Sequence, residues 1–364
     1  MTCKRSVGMP NRKLIIDTDP GIDDAMCIFM ALRSMDSSFR AAHPELTPLE
    51  VMGLTTVFGN AAVSTSTANA LRLLEVMGRE DIPVAAGEPK PIEGAHPTYA
   101  AFVHGDDGLG NTNQQAPKSS AIQQSASEFL VEQTRAAPGE LTVLALGPLT
   151  NLARAIELDA EFASNVQEVV LMGGAFTVSG NVNPAAEANF WNDSVAADRV
   201  CTSGCRLKIL GLDATQQAFI SGDVMRERIG TSGTGGAFIQ AISEFYLRFN
   251  FETDGVDGCY LHDPMTALAA MAPGLCEWRA SPVRVVHDGF ARGHSMMIKP
   301  CWVGQLQREP SFNVGEPGGD HFSHREAEVA IDVDSERAVA LAVELLSFDF
   351  RSRGGTTVTE RSRL

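Results

Sequence analysis

Four aspartates fall within eight residues near the start of the chain: Asp17, Asp19, Asp23 and Asp24, in the stretch Leu14-Ile15-Ile16-Asp17-Thr18-Asp19-Pro20-Gly21-Ile22-Asp23-Asp24-Ala25. Carboxylates this close repel one another unless a cation or hydrogen-bond donors offset them. A donor set made only of oxygen suits a hard cation such as Ca²⁺ or Mg²⁺. Capping accounts for one or two of the four, because Ala25, Ile28, Phe29 and Leu32 follow at helical spacing and a helix start favours negative charge. A solvated acidic turn is the plain alternative for the rest. Position argues for a site instead. Leu14 to Ile16 read as the end of a buried strand and Pro20-Gly21 as a turn, and open α/β sheets carry their ligands beyond the carboxyl ends of strands.

Two chemistries other than a sugar site fit parts of this stretch. An EF-hand loop starting at Asp17 fails, because its sixth position is Ile22 instead of Gly and its twelfth is Ile28 instead of Glu. A haloacid-dehalogenase-type phosphatase also starts with a strand and Asp-x-Asp, with Asp17 as its nucleophile. It would need a later lysine and a phosphate cradle. The loop from Gly180 to Asn189 offers Asn181, Glu187 and Asn189 but no lysine or arginine, which suits sugar hydroxyls better than phosphate. Asn60 closes Val57-Phe58-Gly59-Asn60 after a strand, where it could equally be a turn residue. In His262-Asp263-Pro264, Asp263 could be a plain N-cap with proline at the first helical position. His104 lies in a Gly- and Pro-rich segment, Pro83 to Gly110, too long for a simple connection and readable as a turn or as a lid.

The elements that must position these residues alternate. Strands are expected at Leu14–Ile16, Val51–Val57, Leu141–Leu146, Val169–Met172, Leu207–Leu212 and Val329–Val333. Helices are expected after Asp24 and over 63–77, 121–136, 150–158, 236–250 and 335–347. Such alternation predicts an α/β fold, a doubly wound and mainly parallel sheet with flanking helices. Ser37 to Pro48 reads as an irregular surface insertion. With no internal repeat and no linker, one domain over 13–350 is expected, with a lead-in at 1–12 and a tail at 351–364. The chain has 364 residues, 44% hydrophobic and 20% charged, enough for a sizeable core. A net charge of −16 argues against nucleic acid or an anionic membrane as partner. No apolar run is long enough for a membrane span and the start lacks the apolar core of a signal peptide. Seven scattered cysteines, with Cys201-x-x-x-Cys205 lacking a second pair for zinc, fit reduced thiols in a cytoplasmic protein.

Taken together the motifs resemble the inosine-uridine-preferring nucleoside hydrolase family over about residues 13 to 345. The N-terminal Asp-x-Asp-Pro-Gly-x-Asp-Asp is the most specific part. Thr-Thr-Val-Phe-Gly-Asn60, Gly-Pro-Leu-Thr-Asn151, Leu-Met-Gly-Gly174, Gly-Asn-Val-Asn-Pro-Ala-Ala-Glu-Ala-Asn189 and Leu-His-Asp-Pro264 follow in order, and their wording is closest to the plant-type branch. Ala188 departs from the Phe of many members and bears on the ribose pocket.

The resemblance implies a Rossmann-like nucleoside hydrolase fold and hydrolysis of the N-glycosidic bond of uridine, inosine and xanthosine to ribose and free base. It implies one Ca²⁺, with Asp19, Asp24 and Asp263 as side-chain ligands and the main-chain carbonyl of Leu146 as another. A water held by that ion would pass its proton to Asp19, the general base. Asp23, Asn60, Asn181, Glu187 and Asn189 would hold the ribose hydroxyls and Met172 would pack on the sugar. His262 would serve the leaving base, His104 would reach the base from the lid, and Asp17 would only support the loop. A homodimer or homotetramer is the family's habit. A catalytically silent nucleoside-binding protein would lack one of the key acids, and none is missing. Purine-specific relatives sandwich the base between tryptophans; Trp191, Trp278 and Trp302 all lie outside the His104 segment, so no dedicated purine sandwich is expected.

Overall fold

The computed structural model describes residues 11–94, 99–298 and 326–349. The chain opens with β1 (Arg12–Thr18) and α1 (Ile22–Ser34), then α2 (Ser37–Ala42), β2 (Leu49–Thr56), α3 (Val63–Val76), β3 (Val84–Ala86) and α4 (Ala101–His104). Next come α5 (Ala126–Ala136), β4 (Leu141–Ala145), α6 (Thr150–Leu158), α7 (Phe162–Asn165) and β5 (Glu168–Met172). α8 (Ala188–Asn192), α9 (Ser194–Thr202), β6 (Leu207–Leu210), α10 (Leu212–Thr215) and β7 (Phe219–Ser221) precede the long α11 (Thr234–Asp254). β8 (Gly258–Tyr260), α12 (Pro264–Met271), β9 (Cys276–Ser281), β10 (Val283–Val285), β11 (Ser295–Met297), β12 (Ala327–Val333) and α13 (Ser335–Leu346) complete it.

Eight strands form one sheet in the order β3-β2-β1-β4-β5-β6-β12-β9, parallel throughout except for β9, which runs antiparallel to β12 at the edge. The alternating sequence reading of the fold therefore holds. Because β1 pairs with β2 on one side and β4 on the other, the strand order reverses there, and a crevice opens beyond its carboxyl end.

β1 shows how the sheet sorts its residues. Successive side chains of a strand face opposite sides. Leu14 and Ile16 join the apolar layer built with α1, α3, α11, α12 and α13, while Ile15 joins the layer built with α5, α6 and α9. All three are fully buried, each contributing roughly 1.5–3 kcal/mol of apolar burial. The same alternation sends Asp17 to the α6 side, where Asn151 and Thr55 donate to it, and Thr18 to the α1 side, where its hydroxyl donates to Asp24. Asp19 lies just past the strand, at the crevice.

Several boundaries differ from the sequence reading. β1 begins at Arg12, inside the expected lead-in. The Ser37–Pro48 insertion is not irregular throughout: α2 forms in it, with Phe39 and Leu46 buried beneath. α5 starts at Ala126 instead of 121, because Ser125 caps it by accepting from the Glu128 N–H while the Glu128 carboxylate accepts from the Ser125 N–H at 3.0 Å. The tail at 351–364, Trp302 and most of the lead-in lie outside the described residues.

The stretch from β9 to β11 was not read from sequence at all. Its anchor is Asp198 on α9, 5% exposed, which accepts from Arg284 Nε at 2.7 Å, Arg284 Nη2 at 3.0 Å and the Val285 N–H at 2.8 Å. Beyond β10, Ser295 Oγ accepts from the Ala175 N–H at 2.9 Å and donates to the Ala175 carbonyl at 3.0 Å. A backbone bridge joins His294 to Ala186. This edge thus braces the loop that carries Glu187 and Asn189.

Candidate active site

A cavity of about 200 Å³ opens at the switch point. Its lining takes in Asp23, Asn60, Leu146, Met172, Glu187, Asn189 and Asp263, here called the floor, and His104, His262 and Asn181, here called the upper wall. Asp19 and Asp24 are buried behind that floor. Every residue singled out in sequence, apart from the supporting Asp17, therefore gathers at one place.

Acids from the N-terminal motif and from the start of α12 converge here, though not as the trio Asp19, Asp24 and Asp263 that the resemblance implies. Asp23, Asp24 and Asp263 each offer an oxygen, and those oxygens lie within 4.8 Å of one another. The trio contains Asp23 in place of Asp19, because Asp23 and Asp24 share the first turn of α1 while Asp19 stands across the Pro20-Gly21 turn. Asp24 is held by the Thr18 hydroxyl, by the Gly21 N–H at 2.9 Å and by Asn60 Nδ2 at 3.0 Å. Asp19 Oδ2 accepts from the Asn60 N–H at 2.7 Å, and its Oδ1 is buried with no partner among the described residues. Two glycines make room for this carboxylate: a Cβ at Gly59 would stand 1.9 Å from Oδ2 and one at Gly147 2.5 Å from Oδ1. That is why both turns past β2 and β4 carry glycine.

Burial pushes the carboxyls of Asp19 and Asp263 well above their ordinary range, and neighbouring carboxylates (Asp24 for Asp19, Asp23 and Asp24 for Asp263) push further. Burial also raises Asp23 to about 6, against backbone N–H groups that lower it. Four acids, few donors and one orphaned oxygen are a site short of positive charge.

The remaining residues are fixed by donors from the backbone. Glu187 caps α8: its carboxylate accepts from the Asn189 N–H at 2.8 Å, the Phe190 N–H at 3.1 Å and the Gly174 N–H at 2.9 Å. Asn189 Nδ2 donates to the Leu146 carbonyl at 2.7 Å and to the Met172 carbonyl at 3.2 Å. The Leu146 oxygen keeps a second lone pair for another partner. Asn181 Oδ1 accepts from the Ala188 N–H at 3.0 Å. His104 is buried, with Nδ1 accepting from the Ile22 N–H at 3.2 Å; His262 Nδ1 lies 2.8 Å from Thr215 Oγ1. Burial depresses both imidazoles to about 4, so both are neutral at pH 7.

The cavity also has walls that the motifs did not reveal. Tyr246, Phe249 and Asn250 come from one face of α11, and Phe102, Tyr260 and Gln216 complete the upper wall. The ring of Phe102 packs on Phe249 with centroids 5.8 Å apart. The helix over 236–250 was legible, but its i, i+3, i+4 aromatic stripe is the ordinary signature of core packing; the polar Asn250 within it was the usable signal. Trp191 and Trp278 do not line the cavity. A larger groove of about 540 Å³ lies at the other end of α1, yet its Arg33 and Arg79 are tied to Asp36 and Asp81, and among the described residues no set of acids able to hold a metal falls there.

Comparison with known proteins agrees with this geometry. The profile described as "Inosine-uridine preferring nucleoside hydrolase" matches residues 14–340. Uridine nucleosidase 1 of Arabidopsis thaliana is 46% identical over 316 residues, 85% of this chain and 90% of that one. The pyrimidine-specific ribonucleoside hydrolase RihA of a Shewanella species is 32% identical over 342 residues, 93% of this chain and 96% of that one. A solved plant nucleoside hydrolase, the PpNRh1 enzyme, superposes with a TM-score of 0.82 at 40% identity, covering 93% of this chain and 99% of that one. The chain belongs to the inosine-uridine-preferring nucleoside hydrolase family and is an enzyme that hydrolyses ribonucleosides.

Proposed function

We propose that the enzyme cleaves uridine and inosine, with xanthosine as a further substrate, using Ca²⁺ held by Asp19, Asp24, Asp263 and the Leu146 carbonyl. The observation that carries this is the convergence of Asp23, Asp24 and Asp263 within 4.8 Å, with the unpartnered Asp19 Oδ1 buried beside them. An all-oxygen, strongly acidic set with an orphaned oxygen fits a hard divalent cation. Bound there, such an ion would supply the missing positive charge and would lower the pKa of a water near the sugar.

The chain's own residues do the rest. Asp19 takes the proton of the attacking water as its oxygen bonds to C1′ and the bond to the base nitrogen breaks. Its carboxylate is aimed by the Asn60 N–H. Asp23, Asn60, Asn181, Glu187 and Asn189 hold the ribose hydroxyls, and their carboxylates stabilise positive charge developing at the anomeric carbon. Met172 packs against the sugar. His262 and His104 face the base from the upper wall, and the electron pair of the broken bond leaves with that base. Tyr246 and Phe249 supply apolar surface for its ring. The relatives described as uridine nucleosidases and as a pyrimidine-specific hydrolase support uridine as the leading substrate.

The five described cysteines are unbridged and buried, which supports a reducing, cytoplasmic setting. Among the described residues no helix is long and apolar enough to cross a membrane. A homo-oligomer, dimer or tetramer, is proposed on the family resemblance alone.

A panel of uridine, inosine, xanthosine, cytidine and adenosine, assayed for reducing sugar, tests the substrate reading, with p-nitrophenyl phosphate as a control for phosphatase chemistry. Uridine should be cleaved with the highest kcat/KM and inosine next. Phosphate release without reducing sugar would overturn it.

A further inference from the structure

Both histidines of the cavity are fixed through the same ring nitrogen, from two different elements. His104 Nδ1 lies 3.2 Å from the Ile22 backbone nitrogen, a group that can only donate, so Nδ1 is the acceptor and the neutral ring carries its proton on Nε2. Gly21 permits this approach, since a Cβ there would stand 2.8 Å from that nitrogen. His262 Nδ1 lies 2.8 Å from Thr215 Oγ1, and a hydroxyl can play either part.

The surroundings of Thr215 decide the direction. Its side chain is fully buried at the end of α10, and its hydroxyl has no other partner among the described residues. If His262 donated, the hydroxyl proton would be buried with no acceptor. If Thr215 donates, its hydroxyl hydrogen is satisfied and only a spare oxygen lone pair there goes without a partner, the cheaper deficiency. The bond therefore runs from Thr215 to His262. The imidazole proton then sits on Nε2, the ring nitrogen left for the cavity.

We infer that Thr215 is a positioning residue: its buried hydroxyl donates to His262 Nδ1 and so holds the ring with Nε2 as an N–H donor towards the leaving base, the arrangement that the Ile22 amide imposes on His104. The inference rests on the reading that His262 faces the leaving base. It makes the upper wall a pair of N–H donors above a floor of carboxylates. Negative charge building on the departing base thus meets donors, and positive charge building on the sugar meets acids.

Thr215→Val keeps the shape of the side chain and removes the hydroxyl; Thr215→Ser keeps the hydroxyl. The ¹⁵N spectrum of histidine-labelled enzyme, with His262 assigned by its loss in His262→Gln, reads the tautomer without any turnover. The wild type and Thr215→Ser should show a protonated Nε2 and a bare Nδ1 for His262, and Thr215→Val should lose that pattern. In kinetics, Thr215→Val should lower kcat for uridine roughly tenfold or more, within the range of a mispositioned acid–base group. KM should stay within about threefold, and Thr215→Ser should restore kcat. p-Nitrophenyl riboside, whose leaving group departs as a stable anion, should be cleaved nearly as fast by all three. A proton on Nδ1 in the wild type would overturn the inference. So would equal losses on both substrates, which a merely structural Thr215 would give, or an undiminished Thr215→Val. A wild type inactive on every nucleoside would sink the functional reading instead, and the spectrum would still decide the tautomer.

Discussion

The side-chain amide of Asn151 donates to Asp17 Oδ1 at 2.7 Å, and the Thr55 hydroxyl donates to the same oxygen, so the first acid of the motif is tied into the sheet on the α6 side. Asn151 also donates to the Thr56 carbonyl at 3.0 Å and accepts from the Glu88 N–H at 2.9 Å. Asp17 thus stitches β1, β2 and α6 together behind the site. Removing it leaves buried donors without an acceptor. Asp17→Ala should lower the unfolding free energy by about 1–3 kcal/mol, measured by urea denaturation, and leave kcat within about tenfold of wild type. A loss of kcat beyond 10³ at unchanged stability would put Asp17 in the chemistry, as the phosphatase alternative requires.

The acidic floor makes a second prediction. Prolonged chelation should abolish uridine hydrolysis and added Ca²⁺ should restore it, because without a cation the buried acids repel one another and draw protons. Chelated enzyme should also melt at a lower temperature, since a ligand that binds only the folded state stabilises it. Asp24→Ala should reduce both metal content and rate. Full activity in a preparation shown to be free of metal would remove the ion from the account.

The brace at Asp198 predicts how stability responds to acid. Burial pushes its carboxyl up, but hydrogen bonds from Arg284 and the Val285 N–H, with the charge of Arg284, outweigh that and hold it below 3.8. A depressed folded pKa gives stability that is present above the unfolded value and is lost as pH falls through the folded one. Asp198→Asn should therefore be less stable than wild type at pH 7, and the difference should shrink below about pH 4. Thermal melts from pH 7 to pH 3 read this directly. A gap that widens in acid would have the wrong sign for the brace.

What was legible in the sequence was whatever depends on local spacing. The parallel strands announced themselves by short apolar runs, and the acids, amides and His262-Asp263 by standing just past strand ends, where an open sheet collects its ligands. Gly59 and Gly147 stand just past two of the expected strands, but their reason, room for one carboxylate, exists only once β2 and β4 flank β1. The start of α5 was misread although Ser125 and Glu128 spell a capping box. Thr215 and Tyr246 could not be recognised in advance, because each meets the site through a contact between elements distant in the chain, and a threonine or an aromatic stripe at helical spacing is ordinary core material; only the polar Asn250 in that stripe gave a signal. β9 to β11 lacked any strong run, β9 being an edge strand and β10 and β11 a separate two-stranded ribbon held by the Asp198–Arg284 pair.

The account turns on Asp19, whose Oδ2 is aimed by the Asn60 N–H and whose Oδ1 is buried without a partner among the described residues. Asp19→Asn preserves shape and an oxygen while removing the proton acceptor. Turnover of uridine by this variant, measured beside its metal content and its affinity for an uncleaved nucleoside analogue, is the most direct test. The account predicts a fall in kcat on the order of 10²–10⁴ with binding largely retained. A variant that turns over nearly as fast as wild type would contradict it and move the general base to another residue.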